Sequence, residues 1–197
     1  MNTGLAQLKK DFITAASRAY NKSIQLGNGG NISARVPGQP HMLIKAREVS
    51  LIDCTPDNLI VTDFQGNLIE GNGQPTKEAY LHGMLYKLLP DIGGIVHCHS
   101  PWAVAWSLDE QDIPLLTQHA RLKLSSPIPV LSIDSPVVGP EHFPEIEQRL
   151  RLDTRLEAFV LAAHGSVAWG RNVIAAEHNA QLVEECAQIA CLRRMMR

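Results

Sequence analysis

The chain has 197 residues, 45% apolar and 19% charged, with 18 basic against 20 acidic side chains. That composition supports a buried core, and a net charge of −2 offers no field that would recruit nucleic acid or an anionic membrane. No apolar run reaches the ~20 residues a membrane-crossing helix needs. The N-terminus, MNTGLAQLKKDF, has no apolar signal core, and the four cysteines lack CxxC spacing. The expectation is a soluble, cytoplasmic protein whose residues 1–197 form a single domain.

Leu5, Leu8, Phe12, Ala16 and Tyr20 recur at helical spacing and predict a first helix that ends at Gly27. The loop GNGGN (27–31) follows, then short strands at Ile32–Val36, Met42–Ile44 and Asn58–Thr62. A second helix is expected from Thr76, as its N-cap, to Pro90, burying Leu81, Met84 and Leu88. Gly93–His99 reads as a buried strand, and Pro101 sits where a short helix opens. Ile128–Ile133 and Phe159–Ala163 read as strands, Pro140–Leu150 and Val173–Met195 as helices. Short strands mixed with helices predict a layered α/β domain.

Eight histidines are the compositional oddity. In Ile95-Val96-His97-Cys98-His99 an extended chain puts His97 and His99 on one face and Cys98 on the other, so the two imidazoles can chelate one metal ion. His164, after the apolar run 159–163, is a candidate third ligand, and three histidines with an open fourth position describe a catalytic metal site. A hydrogen-bonded pair at a strand edge is the other reading. Glu78 falls in the first turn of the second helix, where a carboxylate suits the positive helix end without any chemistry. His82, one turn on, and His178, on the last helix, read as packed side chains. His41, His119 and His142 have no local partner. The glycine loop serves equally as an anion nest or as a helix stop and turn. Arg193, Arg194 and Arg197 suit the negative end of the last helix.

Taken together, GNGGNIS, PTKE, GGIVHCHS and AAHGSVAWG resemble, in order and spacing, the class II aldolase/adducin family, from about Leu5 to Arg194. The resemblance implies a three-layer α/β/α sandwich around a mixed, largely antiparallel central sheet, and a homotetramer with active sites between subunits. It implies His97, His99 and His164 as ligands of Zn2+ or another divalent transition metal. Glu78 matches the acid–base residue. Gly30 and Asn31 match the phosphate-contacting loop, and Thr76 and Lys77 stand where two small hydroxyl residues hold phosphate in relatives.

Two departures bear on activity. Arg47-Glu48 occupies a position where relatives often carry Ser-Gly or Thr-Gly, and Glu48 would repel a phosphate. Gln118-His119-Ala120-Arg121 places arginine where the epimerases carry an aspartate, and a cation cannot act as that base. The sequence also stops at Arg197, before the tail that carries a catalytic tyrosine in those relatives. The expected function is therefore a metal-dependent aldolase that cleaves a C–C bond of a small sugar, sugar acid or sugar phosphate through a metal-stabilised enediolate. The PTKE sequence also resembles decarboxylases of keto-acid sugar phosphates, and epimerisation by cleavage and re-addition is a third variant. A non-catalytic adducin-like module is the remaining one, but such modules do not keep the histidine set present here.

Overall fold

The computed structural model describes residues 3–109, 111–133 and 135–196. Helix α1 (Thr3–Asn21) stops earlier than its apolar spacing suggests. Ser23, at φ 58°, takes the left-handed position that ends the helix, and Ile24 N–H reaches back to the carbonyl of Ala19 at 3.2 Å. Gly27, at φ 63°, serves the next turn instead.

Strands β1 (Asn31–Arg35), β2 (His41–Lys45), β3 (Leu59–Asp63) and β4 (Leu68–Glu70) form an antiparallel meander. Helix α2 (Ala79–Leu88) leads to β5 (Gly94–Cys98), α3 (Pro101–Ser107), α4 (Gln118–Lys123) and β6 (Val130–Leu131). Then come α5 (Phe143–Leu152), β7 (Ala158–Leu161), β8 (Gly165–Gly170) and α6 (Val173–Met195). The sheet order is β4-β3-β2-β1-β5-β8-β7-β6, antiparallel throughout except for β6 beside β7. The spacing of apolar residues does not reveal β4, α4 or β8. The strand expected over 128–133 contracts to two residues because Ile128 bridges Ile113 instead. Residues 140–142 are a 3-10 turn that precedes α5, not part of it.

Period-two alternation gives the sheet two different faces. Ile32, Ala34, Val96 and Cys98 meet α1, α3 and α6 in a core of small and branched side chains that includes Phe12, Ala16 and Ala176. Ile44, Ile60, Ile95 and Phe159 meet α2 and α5 through Leu81, Leu85 and Ile146. The result is the α/β/α sandwich. Gly94 is required where α6 starts across β5: a Cβ there would lie 2.4 Å from the Cα of Val173. Among the described residues no helix is long and apolar enough to cross a membrane.

Candidate active site

The β1–β5–β8 register sets Asn31 opposite His97 and His97 opposite Val167, so Asn31 and His97 share the face covered by α2. His97 is fully buried. Its Nδ1–H donates to the carbonyl of Ser166 at 3.0 Å, which leaves Nε2 as the ring's lone-pair atom. His99 emerges just past the end of β5 and is exposed. His164 lies on the turn between β7 and β8, directly after Ala163, an alanine held at φ 55°. Non-glycine residues seldom adopt that conformation, and it concentrates at functional sites. One nitrogen from each of the three rings lies within 4.8 Å of the others.

Glu78 is the N-cap of α2 itself, displacing Thr76 from that expected position. Its carboxylate does not cap the helix. Buried, it approaches His97, with Oε2 2.9 Å from Nε2, and His164, with Oε1 3.7 Å from Nε2. Asn31 Nδ2 donates to Oε2 at 3.3 Å. Burial pushes the Glu78 carboxyl up, but the His97 imidazole beside it outweighs this and holds it well below the usual carboxylate range. Burial likewise pulls His97 down, and Glu78 more than restores it, leaving His97 raised. Burial first and His97 second lower His99 to about 4 and also lower His164.

The donor set fits a metal ion. His97 Nε2, His164 Nδ1 and Glu78 Oε1 are buried and lack hydrogen-bond partners among the described residues. A neutral His97 turns its lone pair toward a carboxylate oxygen at 2.9 Å, an arrangement that a proton or a shared cation must relieve. Three imidazoles and a carboxylate suit zinc and its divalent neighbours alike.

Glu78, His99 and His164 form one wall of a cleft of about 1010 Å³, with His97 buried behind them. The glycine loop forms another, and its closeness to the histidines explains its composition. A Cβ at Gly29 would lie 2.8 Å from His99 Nδ1, and at Gly30, which sits at φ 61°, 2.8 Å from the carbonyl of His97. Gln25 ties the loop to the site by accepting from His99 N–H at 2.8 Å. Thr76, Lys77, Arg47 and Glu48 line the cleft mouth, and Glu48 is itself left-handed at φ 66°. Arg47 is held by Gln74 across the opening, Nη1 to Oε1 at 3.0 Å.

Three positioning or binding residues escape the sequence pattern. Lys45 is buried at 2% exposure beside the glycine loop and donates to the carbonyl of Val49 at 2.8 Å. Burial lowers its pKa. A lone lysine ending an apolar strand carries no signal by itself. Gln25 and Glu184 are the others. Glu184, on α6, accepts from Trp102 and Ala103 N–H at 2.9 Å each and so anchors the chain where it leaves His99.

Other expected residues fall elsewhere. Arg121 does not line the cleft of its own chain; its Nε donates to the carbonyl of Leu115. His178 is exposed rather than packed, because it lies in register with the exposed Glu185 and Leu192 on α6, and its Nε2 is 3.3 Å from Arg18. His41 and His142 do find local partners, Gln39 and the N–H of Gly139. Arg194 pairs with Asp109 and lies over the Trp106 ring at 5.5 Å, while Arg197 lies outside the described residues.

Residues 10–191 match the family described as Class II Aldolase and Adducin N-terminal domain. The chain belongs to this family. It is 29% identical over 180 residues to the L-ribulose-5-phosphate 4-epimerase UlaF of Salmonella paratyphi B, a match that covers 84% of this chain and 75% of the relative. Its fold superposes on an L-fuculose 1-phosphate aldolase with a TM-score of 0.86 at 23% identity, covering 96% of this chain and 87% of that one. YgbL of Klebsiella pneumoniae, described only as an aldolase/epimerase/decarboxylase, gives 0.78 at 28% identity, covering 93% and 88%.

Proposed function

We propose that this chain is a divalent-metal-dependent lyase, acting on a small sugar, sugar acid or sugar phosphate by retro-aldol C–C cleavage. The observation that carries the reading is a carboxylate at a helix N-cap that leaves the helix uncapped and turns onto His97 inside a three-histidine cluster. His97, His99 and His164 would hold the metal, zinc by preference. Bound there, the ion would polarise the substrate's carbonyl oxygen. Glu78 is buried and kept ionised, so it can take the O–H proton of the hydroxyl on the carbon whose C–C bond breaks, as that hydroxyl becomes the carbonyl of the released aldehyde, and return it to the enediolate carbon of the other fragment. Asn31 holds that carboxylate through Oε2. At the mouth, Lys45, Lys77 and the loop around Gly30 and Asn31 offer positive charge and backbone donors to the substrate's anionic group, with Thr76 adding a hydroxyl.

Assembly as a cytoplasmic homotetramer with shared sites accords with the exposed Leu192, Met195 and Met196 at the end of α6 and with Leu68 and Ile69 on the edge strand. Epimerisation is the second reading, favoured by the 29% identity to UlaF. It shares the cleavage step and differs in re-adding the fragment. Incubation of the metal-analysed protein with a panel of ketose phosphates and keto-acid phosphates tests both. Release of a free aldehyde supports the lyase, conversion between epimers without release supports the epimerase, and turnover that persists without any bound metal overturns the proposal.

A further inference from the structure

On the face of the sheet that carries Asn31 and His97, three buried polar groups stand in line behind the cleft. Ser33 Oγ lies 2.7 Å from His82 Nδ1 and 2.9 Å from the hydroxyl of Tyr86. His82 and Ser33 are fully buried and Tyr86 nearly so. His82 sits one helical turn after Glu78, on the same side of α2, where its ring feels the charges of both His97 and Glu78. Its Nε2 has no partner among the described residues, nor has Glu78 Oε1 or Asn31 Oδ1.

The direction of this chain follows from counting protons. Ser33 is the one partner of the Tyr86 hydroxyl among the described residues, so the phenol proton has Ser33 Oγ as its acceptor. A serine that accepts from tyrosine has its own proton left, and the arrangement that pairs this proton is donation to a bare His82 Nδ1. The imidazole proton therefore sits on Nε2. The reverse direction would strand two groups in the interior, the phenol proton and an Nε2 lone pair, where this one leaves a single N–H. An unpartnered buried donor is unfavourable, and the unpartnered acceptors on this face are Glu78 Oε1, Asn31 Oδ1, Thr62 Oγ1 and the lone pair of His97 Nε2, of which Glu78 lies one turn from His82 on the same helix. No hydrogen bond joins His82 Nε2 directly to Glu78 Oε1, so a contact between them needs one bridging water. Burial keeps the ring neutral, its pKa lowered to about 3.

We propose that His82 is a positioning residue for Glu78: Tyr86 and Ser33 lock it as the Nε2–H tautomer, and that N–H orients the carboxylate through one water. The functional half of this rests on the acid–base reading of Glu78, while the tautomer stands independently. Histidine ¹⁵N NMR of the metal-free protein reads the tautomer without any turnover. The His82 signals, identified by their loss in His82→Asn, should show a protonated Nε2 and a bare Nδ1. Tyr86→Phe removes the proton that sets the direction and should mix the two tautomers. An Nδ1–H signal in the unaltered protein would overturn the proposal, and if His82→Asn does not fold, the signals that change in Tyr86→Phe identify His82 instead.

The second arm compares two substitutions. His82→Asn keeps a group near Nδ1 for Ser33, and His82→Gln keeps a donor near Nε2. Loss of such a supporting contact lowers activity by roughly 10–100-fold in other metal sites. His82→Asn should lower kcat by at least about tenfold with KM and metal content unchanged, and His82→Gln should recover most of it. Equal rates in the two variants would reduce His82 to a tie between α2 and β1. A panel with no turnover in any variant would bear on the lyase reading alone and leave the tautomer result standing.

Discussion

The two faces of one sheet do different work. Strands β1 and β5 turn Ile32, Ala34, Val96 and Cys98 to one side and Asn31, Ser33, Ile95 and His97 to the other. The first side packs against α1, α3 and α6 through a mainly apolar core that also buries Glu177 and Glu184 of α6. The second keeps a buried polar layer beneath α2, with unpartnered atoms on Asn31, Glu78, His82 and His97. A buried polar atom without a partner destabilises by about 1–3 kcal/mol, and more such atoms lie on the α2 side than on the α6 side, where Glu177 Oε2 is one. Both faces carry an apolar core, and the candidate residues Glu78 and His97 lie on the second.

If that division is right, damage to the two faces should separate. The largest effect is expected from His164→Ala, which removes one of three ligands. It should abolish most metal binding and nearly all turnover, while thermal unfolding of the metal-free protein moves little, because the ring lies on the β7–β8 turn and its buried Nδ1 has no hydrogen-bond partner among the described residues. Metal analysis beside calorimetry checks this, and full metal occupancy in the variant would remove His164 from the site. On the opposite face, Phe12→Ala should destabilise by about 3–5 kcal/mol in denaturant unfolding. The kcat of the fraction that remains folded should stay near normal.

The comparison also explains what the sequence disclosed. His97 and His99 were legible because strand alternation fixes two residues on one face, and Glu78 because it opens a helix. Whether Glu78 serves the helix or the site could not be read, since both readings ask for a carboxylate at the same place; the observed side chain turns away from the helix. Gln25 and Glu184 were invisible because each acts through a partner distant in sequence, His99 and the Trp102 and Ala103 amides, and Lys45 because a lone lysine at the end of an apolar strand carries no signal. Strand β8 was missed although its motif was noticed, since GSVAWG is short and glycine-bounded, and only pairing with β5 and β7 makes it a strand. The end of α1 was misplaced because a serine, not the nearby glycine, takes the left-handed position.

A smaller effect sharpens the comparison through pH. His82 is held neutral in the fold, with a pKa of about 3 against a usual 6.5. Below pH 6.5 the unfolded chain binds a proton there that the folded chain refuses until about pH 3, so stability falls as pH drops through that window. The slope from this one group is at most about 1.4 kcal/mol per pH unit. Denaturant unfolding of the metal-free protein should show a shallower acid slope in His82→Gln, and an unchanged slope would mean the proton is taken up elsewhere. The smallest effect belongs to the cleft mouth. Glu48 is left-handed at φ 66°, and Glu48→Gly should stabilise by no more than about 1 kcal/mol in the same assay. A clear loss of stability would show that the Glu48 side chain supports the loop.

The account turns on whether the carboxylate beneath the histidines does chemistry. Glu78→Gln keeps the side chain's shape and polar contacts but removes the proton acceptor. The helix-terminus contribution of a carboxylate is only about 0.3–1 kcal/mol, so a larger shift in thermal unfolding would report the lost contact with His97, and the rate is compared on the folded variant. Steady-state kinetics on the metal-loaded variant, run beside that unfolding curve, should show a rate lower by a factor of about 10²–10⁴. A near-normal rate would contradict the account, and Glu78 would then be a helix-terminal carboxylate that happens to lie beside a metal site.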